Sequence, residues 1–133
     1  MGKKERGRPV ELHESGQMYL ETIHVLLGRQ DAVRAIDVGN HLGYSKPSVS
    51  RALGLLKQDG YITVDGDGHV ALTTSGLAEA QRIYERHTVL TAMLTALGVD
   101  ETTAAEDACR IEHVISDRSF EAVKQHLAEH QKD

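Results

Sequence analysis

The chain has 133 residues, a net charge of −5, 40 % hydrophobic residues, no Trp, one Phe and one Cys. That length holds one compact domain or two small cooperating ones, with a mostly aliphatic core. No run of about 18 apolar residues is present to span a membrane. The stretch 1–16 has charges but no apolar segment behind them, unlike a secretory signal. A single Cys excludes an intrachain disulfide, and together these features fit a cytoplasmic protein with a reduced thiol.

Taken in chain order, residues 1–12 mix Lys3, Lys4, Arg6 and Arg8 with Gly2, Gly7 and Pro9, and read as a flexible basic segment. From about residue 14 the pattern turns helical, with Met18, Leu20, Ile23, Val25, Leu26 and Leu27 as the apolar stripe and Gly28 as the stop. Residues 33–43 read as a short helix with Ile36, Val38 and Leu42 inward, closed at Gly43. Ser45 is the expected N-cap of a third helix, with Pro47 in the first turn, Val49, Leu53, Leu55 and Leu56 toward the core, and Gly60 at the end. Across 61–73 the period changes from helical to alternating, on either side of "DGDG", which predicts a β-hairpin with an Asp-Gly turn. Three further helices are expected over 73–98, 100–117 and 119–130.

Helix, short helix, turn, helix and two-stranded wing is the order of a winged helix-turn-helix. The expected class is therefore mainly α with a small β-wing, divided into a DNA-binding domain at 1–73 and a helical metal-binding and dimerisation domain at 74–133. In such a module the N-terminal end of the second helix of the pair enters the major groove. Here that end is Ser45, Lys46, Pro47, Ser48, Ser50 and Arg51. Small hydroxyls permit close approach, Lys46 and Arg51 suit phosphates, and Arg51 also suits guanine. The wing tip 66–69 carries Asp67 beside Asp65, which suits a phosphate backbone poorly. Charge is divided in the same sense. Residues 1–60 hold nine Lys/Arg against seven Asp/Glu, a balance of +2, whereas 61–133 hold six against thirteen, a balance of −7. A basic front and an acidic back imply different partners. Exposed serines and cations also serve solubility or protein contact.

The second feature is "EDACRIEHVISD" at 106–117. On a continuous helix Cys109, Glu112 and His113, at i, i+3 and i+4, share a face. A thiolate, a carboxylate and an imidazole together suit a transition metal. Three donors from one turn do not close a site, so others are expected: His87 from the preceding long helix, and Met18 and Glu21, at i and i+3, from the first helix. Each has a plain alternative. Cys109 and Met18 serve equally as core fillers, His87 and His113 as surface groups, and Glu112 as a partner of Arg86 or Arg110.

The segments "MYLETIHVL", "SKPSVSRALGLLKQDGYI", "ALTTSGLAEA", "ERH" and "EDACRIEHVISD", in this order and spacing, resemble the diphtheria-toxin-repressor family over roughly 14–130. The resemblance implies a dimeric, metal-activated transcriptional repressor controlling Fe²⁺ or Mn²⁺ homeostasis, with Co²⁺, Ni²⁺ or Zn²⁺ as substitutes. It implies that Met18, Cys109, Glu112 and His113 match the activating site of the iron branch, that His87 is a ligand in both branches, and that Glu21 matches a manganese-branch ligand. Two departures stand out. Thr91 and Ala105 occupy positions where the iron branch has further ligands, and the length is that of the short manganese regulators without the SH3-like domain. The donor set is a hybrid of soft and hard groups. Double-stranded operator DNA and a second copy of the chain are the implied partners, with Ala92, Met93 and Leu97 as candidate dimer residues. A metal-independent winged-helix regulator sensing a small molecule is the alternative. An enzyme is not expected: there is no HExxH, and no separate general base accompanies the cluster.

Overall fold

The structure is a computed structural model that describes residues 14–131; the basic segment 1–12 and His13 lie outside the described residues. Its elements are α1 (Glu14–Leu27), α2 (Ala35–Leu42), α3 (Lys46–Gln58), β1 (Ile62–Val64), β2 (Val70–Leu72), α4 (Thr74–Ala96), α5 (Glu101–Ile111) and α6 (Asp117–Gln131). Two compact units divide between Ala80 and Gln81, inside α4.

The first unit is built as its stop and cap residues dictate. Gly43 ends α2 with φ 74°, a backbone that glycine adopts without a Cβ penalty. Two residues later Ser45 starts α3: its side chain accepts the Ser48 N–H, and Pro47 sits in the first turn. β1 and β2 pair antiparallel in the register Ile62↔Leu72, Thr63↔Ala71 and Val64↔Val70. The loop between them is shaped by Asp65, whose carboxylate accepts the N–H groups of Asp67 and His69 at 2.8 and 2.9 Å. Those bonds, that from His69 first, hold the Asp65 carboxyl below its ordinary value. The positive φ of the loop falls on Gly68, in the second Asp-Gly pair.

The core of this unit joins Tyr19, Leu20, Ile23 and Leu26 of α1, Val38 of α2, Val49, Leu53 and Leu56 of α3, and Ile62 and Val70 of the hairpin. The Val70 N–H also donates to the Val33 carbonyl at 2.8 Å, tying the wing to the segment before α2. Gly76, in the first turn of α4, is buried, and a Cβ there would overlap the Tyr61 carbonyl oxygen.

Two expected core residues are not in the core. Ile36 is 59 % exposed and Leu55 is 55 % exposed. On α3 the buried positions 49, 53 and 56 follow one another at four and three residues. Leu55 stands two residues from Leu53, about 200° around the axis, and so faces away from that stripe. Ile36 stands in the same relation to Val38.

In the second unit, Ile83, Arg86 and Leu90 form a buried face of α4, and Ala104 and Ala108, at i and i+4, are the buried positions of α5. Asp100 caps α5 by accepting the Thr103 N–H at 3.0 Å. Lys124 of α6 pairs with Glu85 of α4 at 2.6 Å. No helix among the described residues is long and apolar enough to cross a membrane.

Candidate metal centre and DNA-reading face

The segment expected as one helix over 100–117 is instead two elements and a turn. α5 stops at Ile111, Glu112 is its C-cap, and His113 lies in the turn before α6. Contacts from outside the segment hold this turn. Arg86 of α4 donates through Nη1 to the carbonyls of Glu112, at 3.2 Å, and Ile115, at 2.5 Å, and through Nη2 to the Asp117 carboxylate. Ser116 then starts α6, its Oγ accepting the Ser119 N–H at 3.1 Å. Glu112, with helical φ and ψ and its N–H on the Ala108 carbonyl at 2.8 Å, stays in helical phase with Cys109 on the last turn of α5, while His113 lies in the turn beyond.

Glu112 meets His87 with one carboxylate oxygen and His113 with the other. Glu112 Oε1 lies 2.8 Å from His87 Nδ1, and Glu112 Oε2 lies 3.3 Å from His113 Nε2. The Glu112 side chain has no exposed surface, and that of His113 is almost fully buried. Removing a carboxylate from water costs several kcal/mol unless positive charge or hydrogen bonds offset it. A buried carboxylate flanked by two imidazole nitrogens is a donor set that fits a divalent transition ion. Arg110 pairs with Asp107 at 3.2 Å. Arg86 meets Glu112 through the backbone carbonyl.

The remaining expected donors are placed as follows. Cys109 is exposed. Met18 and Glu21 stand on α1, in the first unit, both partly buried. The Met18 sulfur accepts a hydrogen bond from the Tyr44 hydroxyl at 3.5 Å, and the Tyr44 ring meets Tyr19 edge-on with centroids 6.0 Å apart. Burial, with Tyr44 nearby, raises the Tyr19 hydroxyl above its ordinary value. Beside His87, a groove of about 670 Å³ is lined by Thr91, Thr95, Glu101 and Ala105, among others. The Thr91 hydroxyl there is buried without a hydrogen-bond partner. Sequence reasoning missed Arg86 as the residue that holds the turn. An arginine on the inward face of α4, in phase with Ile83 and Leu90, is the signal that could have found it.

The DNA-reading residues are together in the first unit. Ser45, Lys46, Pro47, Ser48, Ser50 and Arg51 are all exposed, at the N-cap and over the first turns of α3. The Ser45 and Ser48 hydroxyls are 3.0 Å apart. Arg34, before α2, reaches His69 of the wing loop, with Nη2 3.3 Å from Nε2. Two Asp and one His cluster at that loop, but Asp65 and His69 there bond to the loop backbone, to each other or to Arg34.

Comparison with known proteins places these features in context. Residues 11–70 match the family profile described as iron dependent repressor, N-terminal DNA binding domain. Residues 73–133 match the profile described as iron dependent repressor, metal binding and dimerisation domain. An uncharacterised HTH-type transcriptional regulator of Methanocaldococcus jannaschii is 29 % identical over 115 residues, covering 85 % of this chain and 92 % of its own length. The transcriptional regulator MntR of Escherichia coli is 32 % identical over 112 residues, 84 % of this chain and 72 % of that protein. A solved structure of a manganese-dependent transcriptional repressor in complex with manganese superposes with a TM-score of 0.77 at 27 % identity, over 85 % of this chain and 52 % of that one. The chain spans about half the length of several curated relatives, 48 % for the diphtheria toxin repressor of Corynebacterium diphtheriae.

Proposed function

This chain belongs to the family of iron-dependent repressors, and from that premise we propose that it is a metal-activated, DNA-binding transcriptional repressor responding to Fe²⁺ or Mn²⁺. The observation that carries this reading is the buried Glu112 carboxylate held between the imidazoles of His87 and His113. In this reading residues 1–73 read operator DNA, and 74–133 bind metal and form the homodimer, at work in the cytoplasm. Glu112, His87 and His113 are the inner donors. Cys109, Met18 and Glu21 are proposed as further donors, a mixture of soft sulfur and hard oxygen that suits Fe²⁺ and Mn²⁺ respectively.

A bound divalent ion would supply concentrated positive charge to the buried carboxylate and its imidazole neighbours. The rest of the work belongs to the chain. Arg51 and Lys46 meet phosphates or base edges, and the serines of α3 allow close approach of the helix. A dimer places two such helices on successive half-sites. Switching from almost all inactive to almost all active requires about 10⁴-fold preference of the ion for the DNA-competent state.

Fluorescence anisotropy of a labelled fragment from upstream of the protein's own gene tests this, at fixed salt because phosphate contacts dominate affinity. The expected result is binding with Mn²⁺ or anaerobic Fe²⁺ that is lost on chelation. Equal binding with and without metal contradicts it and favours a metal-independent regulator.

A further inference from the structure

We propose that Arg86 is a positioning residue of the metal centre: by anchoring the 112–117 turn to α4, it sets the distance between the Glu112 carboxylate and the His87 imidazole. The inference rests on the metal-binding reading above.

Four observations carry it. Arg86 is buried, an expensive place for a guanidinium unless it does structural work. Its Nη1 bonds to two carbonyls, those of Glu112 and Ile115, which lie at either end of the same turn. Its Nη2 bonds to Asp117, the first residue of α6. Its guanidinium carbon lies 5.4 Å from the centre of the buried Phe120 ring, a stacking that further fixes its plane.

Chain connectivity turns this clamp into a ruler. Arg86 is bonded in sequence to His87, and the carbonyl it grips belongs to Glu112. The backbone of one donor is therefore tied to the backbone of the other through a single side chain. Nη1 takes two carbonyls that a continuous helix would have used internally, and so holds the turn against α4 with a Glu112 oxygen 2.8 Å from His87. Donor groups need placement within about 0.5 Å to bind well. Residues that orient ligands without touching the ion typically contribute 10–100-fold in metal affinity. Lysine carries the charge but lacks the planar fork.

The test compares wild type, Arg86→Lys and Arg86→Met as full-length protein, with Ile83→Val as a control for general destabilisation of the same buried face of α4. Mn²⁺ affinity is measured by the electron paramagnetic resonance of unbound Mn²⁺, and site geometry by the visible absorption of bound Co²⁺ at saturation. The expected result is a loss of Mn²⁺ affinity of about tenfold or more in both Arg86 variants. The Co²⁺ spectrum changes in each, while Ile83→Val keeps the wild-type affinity and spectrum. Should Arg86→Met fail to fold, Arg86→Lys carries the comparison alone. Unchanged affinity and spectrum in Arg86→Lys overturns the inference, as does an equal loss in Ile83→Val. Absence of Mn²⁺ and Co²⁺ binding by wild type overturns the metal-binding reading itself, and with it the ruler.

Discussion

Glu112 has no contact with water and two imidazoles against its oxygens, so its charge is the feature that a cation would recognise. Glu112→Gln keeps the volume and removes that charge. With Mn²⁺ at 100 times the wild-type Kd, mass action stabilises wild type by about 2.7 kcal/mol. In Glu112→Gln the same concentration is expected to give less than about 0.5 kcal/mol, because the Kd rises above the added concentration. Thermal melts with and without Mn²⁺ read the difference. At this scale, "CRIEH" suggested donor types, the family resemblance supplied the set, and neither gave the arrangement. Cys109, Glu112 and His113 have helical spacing, and the local mark of a new helix, Ser116 capping α6, comes only after them. The turn is held by Arg86, 26 residues before Glu112, which periodicity does not see. His87, expected as a donor through the family resemblance, lies 2.8 Å from Glu112.

Elements were read most accurately where glycine, proline and serine mark their ends. Gly43 and Ser45 bracket the turn before α3, and the alternation on either side of "DGDG" fixed the hairpin. The end of α5 was misread because Ile111, Val114 and Ile115 continue an apolar pattern with neither Gly nor Pro among them. Phase within an element was a second source of error. Leu53 is buried in α3 whereas Leu55 is 55 % exposed, though both are leucines two residues apart. Leu53→Ala is therefore expected to destabilise the protein by about 2–5 kcal/mol, from lost burial and the cavity left. Leu55→Ala is expected to change stability by less than about 0.5 kcal/mol. Denaturant unfolding of the two variants, side by side, measures the contrast.

At the scale of the molecule, one unit carries the exposed face of α3 and the other the Glu112 centre, and they divide inside the single helix α4. The chain order of winged helix then helices was readable because each element has its own period and stops. The coupling between metal and DNA is not a property of any one element. Coupling between two ligands is reciprocal: if metal tightens DNA binding by some factor, DNA must tighten metal binding by the same factor. The most direct test is a Mn²⁺ titration of the protein with and without a saturating operator fragment, at one salt concentration. The fragment is expected to lower the Mn²⁺ Kd by at least tenfold, matching the factor by which Mn²⁺ tightens the fragment. An Mn²⁺ Kd that is the same with and without the fragment would contradict that coupling.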